Sequence, residues 1–289
     1  MTRSSSSWIF EPSFGAHIDV PVLGPVRPTS ASLPAAGPLR LGDVSLGSGR
    51  PVGGTPAPAL WLTDDRVPDT AEVWRRLVDL FPETGLWPLL ATPFERSRET
   101  DPVPPADVDA VDPAVFLADQ WAGWLVPIGE HPYVEHLTPY GAHFPGLAPP
   151  LVRDGDPASA TSGLLGDWGL RRLGLVRCDR PADAVAALGW TGAGNYCGTA
   201  EVAAVLRSWE DRFGVVLTGL LGGSMDLLLP HPPASVSEAL PVAAEVAAFC
   251  RDTLRVDGPG EAFGYRSGGT VEGLARCLVG EPVWTLWWD

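Results

Sequence analysis

Cys197 lies in the run GWTGAGNYCGTAE, residues 189–201, where Gly192, Gly194 and Gly198 precede a helical segment expected to start near Thr199. A helix start offers free backbone N–H groups and the positive end of the dipole, which together favour an anion. The same field lowers the pKa of a neighbouring thiol, so Cys197 is a candidate nucleophile and Asn195 a candidate polar partner in the loop. The plainer reading is that Asn195 holds a turn and Cys197 is a small buried filler. A helix rather than a strand precedes the run, which sets it apart from a dinucleotide-binding fingerprint.

A second candidate is EHPYVEHLTPYGAH, with His131, His136 and His143 beside Glu130 and Glu135. Imidazole and carboxylate suit zinc or iron. The histidine spacings of five and seven do not repeat the i, i+4 pattern of a helical metal site, and prolines interrupt the segment. A polar surface loop is the alternative. A third is RSWEDRFG, residues 207–214, where Arg207, Glu210, Asp211 and Arg212 are candidate binding residues, the two arginines for an acidic partner. Adjacent Glu210 and Asp211 splay by about 100° on a helix and do not face each other as an acid–base pair. Arg207 and Asp211 stand at i, i+4, the spacing of a surface ion pair. No Gly-x-Ser-x-Gly, His-Glu-x-x-His or EF-hand pattern occurs.

The elements that would position these groups are read from periodicity. Residues 1–58 are rich in Pro, Gly and Ser, and HIDVPVL and LRLGDVSL read as short edge strands between turns. ALWL reads as a buried strand, and DTAEVWRRLVDLF as a helix stopped by Pro82, with TGLWPLLAT returning as a strand. DPAVFLADQWAGWLV reads as a helix capped by Asp112 with Pro113 at its first position. The linker-like composition of 151–163 places a boundary there. Beyond it the order is strand (LRRLGLVRC), short helix (RPADAVAALGW), helix (GTAEVAAVLRSWEDRFG), a hairpin around Gly222-Gly223, two more helices and a final strand. Thr199, Ser235 and Thr270 are the expected caps of its helices, and Pro241 is expected to kink its helix or mark the true start. In VWTLWW, Trp284, Leu286 and Trp288 alternate with Val283, Thr285 and Trp287, which predicts a central or well-covered strand.

Composition bounds the function. The formal charge is −15 over 289 residues, which argues against nucleic acid or an anionic membrane as the main partner. All twenty basic residues are arginine, so lysine Schiff bases and the P-loop lysine are excluded. The four cysteines, Cys178, Cys197, Cys250 and Cys277, form no CxxC pair, which leaves a zinc ribbon or disulfide framework unsupported. With no apolar run after MTRSSSSWIFEPSFG and no stretch near 18 apolar residues, a reduced cytoplasmic protein is expected.

TGLWPLL, FPGLAP, RPADAVAALGWTGAGN, VLRSWEDRFG, AAEVAAFC and VWTLWWD together resemble a bacterial, largely actinobacterial family catalogued as domain of unknown function 4253. The likeness is strongest over 164–289 and fades toward residue 60. It implies the family's fold and a bacterial cytoplasmic setting, and it brings no catalytic residue. Where the family carries a Cys-Pro-Asp run, this chain has Cys250-Arg251-Asp252.

The resulting expectation is an α+β protein with a mixed or antiparallel sheet flanked by helices. Its parts would be an irregular Pro/Gly-rich N-terminal segment (1–58), an N-terminal α/β region (59–150), a linker (151–163) and a C-terminal α+β domain (164–289). The expected function is a non-catalytic protein-binding module, immunity-like or regulatory, with a basic protein partner and no cofactor. The alternative is a hydrolase working through the 191–199 loop or the histidine loop.

Overall fold

The computed structural model describes residues 17–23, 32–53, 57–91, 101–126, 133–152, 154–161, 172–254 and 266–288. It is a mixed α+β fold. Eight strands form one sheet: β2 (Gly37–Leu41), β3 (Val44–Val52), β4 (Leu60–Thr63), β5 (Leu86–Ala91), β7 (Arg172–Arg177), β8 (Val216–Leu220), β9 (Ser224–Leu228) and β10 (Val283–Trp287). Their spatial order is β10-β9-β8-β5-β7-β4-β3-β2. All neighbours are antiparallel except β5 and β8, which are parallel. A separate two-stranded sheet pairs β1 (His17–Asp19) with β6 (Ser159–Thr161).

The helices are α1 (Thr70–Thr84), α2 (Pro105–Asp109), α3 (Pro113–Gly123), α4 (Ala184–Leu188), α5 (Thr199–Phe213), α6 (Val236–Phe249) and α7 (Val271–Leu278). The expected C-terminal order therefore holds: β7, α4, α5, the β8–β9 hairpin, α6, α7, β10. Asp112 caps α3 by accepting from Ala114 N and Val115 N. Ser235 and Thr270 cap α6 and α7 in the same way. Thr199 does not cap α5. Gly198 holds that position, and the Thr199 hydroxyl turns back to donate to Trp190 O at 2.9 Å. Pro82 does not stop α1 and Pro241 does not start α6; each lies inside its helix. Gly85, in the left-handed region at φ 62°, ends α1 by donating to Phe81 O.

Three features define the layout of the chain. LRLGDVSL spans parts of β2 and β3 of the main sheet, where β2 forms the edge and β3 carries it on to β4, while HIDVPVL supplies β1 of the separate sheet. The stretch expected as a linker includes β6 and is fastened on both sides, with Ala158 N donating to Pro230 O and Leu151 N to Arg212 O. The sheet also runs across the expected boundary. β5 stands between β7 and β8, and β4 pairs the other edge of β7, so residues on both sides share one core.

The central strands LWLT and LWPLLA are buried at every position, as strands covered on both faces must be. Pro88 in β5 lacks a ladder donor, yet paired positions to β8 are found only at Leu90 and Ala91. Trp87 joins the strands where that ladder is missing, its indole N–H donating to Leu217 O at 2.9 Å. β10 is an edge strand, not a central one. Trp284 is buried all the same: it, Trp209, Phe249, Trp288 and Trp190 form an unbroken edge-to-face chain with centroids 5.1–5.8 Å apart. That geometry adds to the burial of the rings and anchors the strand to α5 and α6.

Candidate functional site

The 189–201 loop folds for close packing. A Cβ at Gly192 would stand 2.4 Å from Gly222 O and 2.1 Å from the Trp190 ring, so only glycine fits against the β8–β9 turn. Trp190 Nε1 donates to Leu221 O at 2.8 Å, fixing the same contact. The start of α5 already has its anion. The Glu201 carboxylate folds over it, with Oε2 2.6 Å from where a Gly198 Cβ would be. Cys197 is buried, and burial, with Glu201 beside it, pushes its thiol up to about 12. The direction is opposite to that of an activated nucleophile: desolvation and a nearby carboxylate outweigh the helix field. Asn195 is exposed in the loop. Burial raises the other three thiols as well.

Of the three histidines in the loop, two are described. His131 lies outside the described residues. His136 sits in a short 3-10 turn, Tyr133–Leu137, with its Nδ1 against Gly269 O, and His143 is exposed. Among the described residues no three His, Cys, Asp or Glu side chains group so as to hold a metal ion.

The polar residues of RSWEDRFG are all engaged within the chain. Arg207 does not pair with Asp211. Its Nε reaches Asp183 Oδ1 and its Nη1 reaches Asp109 Oδ1, both at 2.5 Å. Burial alone would lower its pKa, but the two carboxylates outweigh that and raise it. Arg180 takes Asp211 (2.6 Å) and Glu210 (3.2 Å), so one guanidinium bridges the two acids that the helix splays apart. Glu210 also accepts from Ala182 N at 3.0 Å. Burial raises the Glu210 carboxyl above its usual range, with Arg180 opposing. Arg212 is bound through both Nη atoms to Glu245 on α6, at 2.7 Å each. Glu245 is fully buried and accepts two further bonds, from Trp209 Nε1 (2.9 Å) and Ala148 N (2.5 Å). This carboxylate ties α5, α6 and the 145–151 segment into one unit, and its four donors offset its desolvation.

What the motif reading missed is the face formed by α2 and α3. Val108 packs against Ala186, Ala203 and Ala204, and Val103 N donates to Ala186 O, which fixes α2 against α4 and α5. Leu117, Trp121 and Trp124 bury the inner side of α3. Outward stand Asp101, Asp107, Asp109, Asp112 and Asp119, all exposed, with Val115 between the last two and 57% exposed. Asp109 meets Arg207, and Asp112 also serves as a cap. The signal was available: between Arg98 and Arg153 the chain has no basic residue other than histidine.

Residues 172–289, from β7 to the final strand, match the family model described as "Domain of unknown function (DUF4253)". No curated protein and no solved structure matches the chain. The matched stretch supplies β7, β8, β9 and β10, while β5, which lies between β7 and β8, comes from outside it. No helix among the described residues is long and apolar enough to cross a membrane.

Proposed function

We propose that the protein is a non-catalytic protein-binding module, immunity-like or regulatory, that docks a basic protein partner on the α2–α3 face. The observation that carries this reading is the run of exposed aspartates in and beside α2 and α3, of which Asp109 pairs with Arg207. Arg180, Arg207 and Arg212 are each held by carboxylates within the chain. Their charge is spent inside, which leaves an outward field that attracts and orients a basic surface. Val115 adds apolar contact at the centre of the acidic stripe.

The absence of lysine makes a direct test available. Carbodiimide joins carboxylates to lysine amines, so coupling to a partner meets no competition from lysines of this chain. The tagged protein is held in its host's lysate at moderate salt, treated with carbodiimide, and the cross-linked peptides are sequenced. The reading expects a stoichiometric basic protein whose lysines are joined to Asp107, Asp109, Asp112 or Asp119, with the yield falling as salt rises. Links confined to remote carboxylates such as Asp43 and Glu83, or a preparation with no partner, would refute it.

A further inference from the structure

We infer that Arg251, walled by Trp124 and Tyr196, is a receiving site for an oxyanion, either a carboxylate or a phosphate. The inference stands independently of the partner reading. Arg251 opens the 3-10 turn Arg251–Leu254 that follows α6. Its guanidinium carbon lies 5.8 Å from the Trp124 ring centroid and 6.0 Å from that of Tyr196. Nη2 donates to Gln120 O at 2.8 Å, at the C-terminal end of α3, where a cation is favoured. That contact uses one part of the group. Nε is buried with no acceptor.

Three other half-buried arginines provide the contrast. Arg180, Arg207 and Arg212 are each bound to at least one carboxylate, whereas Arg251 is bound to none. Burial lowers its pKa, as expected of a guanidinium removed from water without a counter-anion. The seat is nevertheless built for it. A Cβ at Gly123 would stand 1.8 Å from Nη2, so the helix leaves out a side chain where the guanidinium rests. A planar cation near two aromatic rings, with a buried N–H donor unused, can bind carboxylate or phosphate oxygens through charge-assisted hydrogen bonds.

The test is calorimetric titration of the full chain at low ionic strength with two probes: inorganic phosphate, and N-acetyl-Gly-Phe with a free C-terminal carboxylate. Saturable binding of either supports the site, and which probe binds identifies the source of the oxyanion. Arg251→Gln is expected to weaken that binding about tenfold or more, the loss of a charged hydrogen-bonding partner. Gly123→Ala, which leaves Arg251 in place but pushes its guanidinium from its seat, is expected to weaken it too. It also serves as the second variant should Arg251→Gln fold poorly. Arg276→Gln, at an exposed pair with Glu272, is expected to bind as wild type. Absence of saturable binding by both probes, or undiminished binding in a folded Arg251→Gln or Gly123→Ala variant, overturns the inference.

Discussion

Replacing Glu245 by glutamine keeps the shape of the side chain and removes its charge. Four donors converge on this fully buried carboxylate: Arg212 Nη1 and Nη2, Trp209 Nε1 and Ala148 N. Glutamine has one oxygen to offer them, and its amide N–H groups meet donors instead of acceptors. Arg212, with only 14% of its side chain exposed, is left as a buried cation without an anion. Breaking a buried pair from one side costs about 3–5 kcal/mol. On a domain of this size that is a fall in Tm of roughly 6–20 °C. Arg212→Met removes the other partner and is expected to cost a similar amount. The double variant Arg212→Met/Glu245→Gln has no uncompensated charge, and its remaining carbonyl oxygen can still accept from Trp209 or Ala148. It is expected to lose about as much as one single variant, well short of the sum, a coupling of several kcal/mol in a urea-unfolding cycle. Additive losses, or a Glu245→Gln cost below about 1 kcal/mol, would refute the assignment of these groups to one buried network.

Further tests address the loop, the sheet and the matched stretch. The Cys197 thiol is expected to react with iodoacetamide far more slowly in the native protein than in urea, because burial holds it at about 12. A folded value above the unfolded one, about 8.5, stabilises the protein fully below that pH and loses its contribution as pH rises toward about 12. Labelling of Cys197 at the free-thiol rate at neutral pH would contradict this. Gly49→Ala places a Cβ 2.5 Å from the buried Trp61 ring and 2.6 Å from Leu62 O, and is expected to cost about 1–3 kcal/mol in urea unfolding. Gly222→Ala, whose added Cβ meets nothing within 4 Å, serves as its near-neutral control. A fragment of residues 172–289 lacks β5 and leaves facing edges of β7 and β8 unpaired. It is expected to show no cooperative unfolding transition by circular dichroism, and a sharp transition in that fragment would disprove the need for β5.

The elements most legible in the sequence were those whose signal is local. Asp112, Ser235 and Thr270 announce helix starts because a cap needs only its own next few residues. The β8–β9 hairpin is read from Gly222-Gly223 between two apolar runs. Thr199 misled because Trp190 O, nine residues back, takes its hydroxyl. The 151–163 stretch has the composition of a linker, and backbone donors at Leu151 and Ala158 find acceptors on distant elements, contacts that composition does not encode. Insertion of β5 between β7 and β8 is a property of topology, with no local trace in any of the three strands.

For the candidate sites the same division applies to charge. The i, i+4 rule gives Arg207 a local partner in Asp211, and that pair would be an exposed one worth a few tenths of a kcal/mol. The fold offers Arg207 a nearly buried Asp183, with Asp109 closing from α2, and gives Asp211 to Arg180. Arginine's planar fork favours this use, since one side chain can hold two carboxylates from different elements. A chain whose only long basic side chains are arginines can therefore spend them as internal cross-links. Each arginine drawn inward leaves surface aspartates less balanced, and the residues between Arg98 and Arg153 have none of their own. The acidic α2–α3 face and the interior ion pairs are two consequences of one allocation of charge. Arg251 is a half-buried arginine that this allocation leaves without a carboxylate and with a buried Nε that has no acceptor, and that is why an incoming oxyanion is sought there.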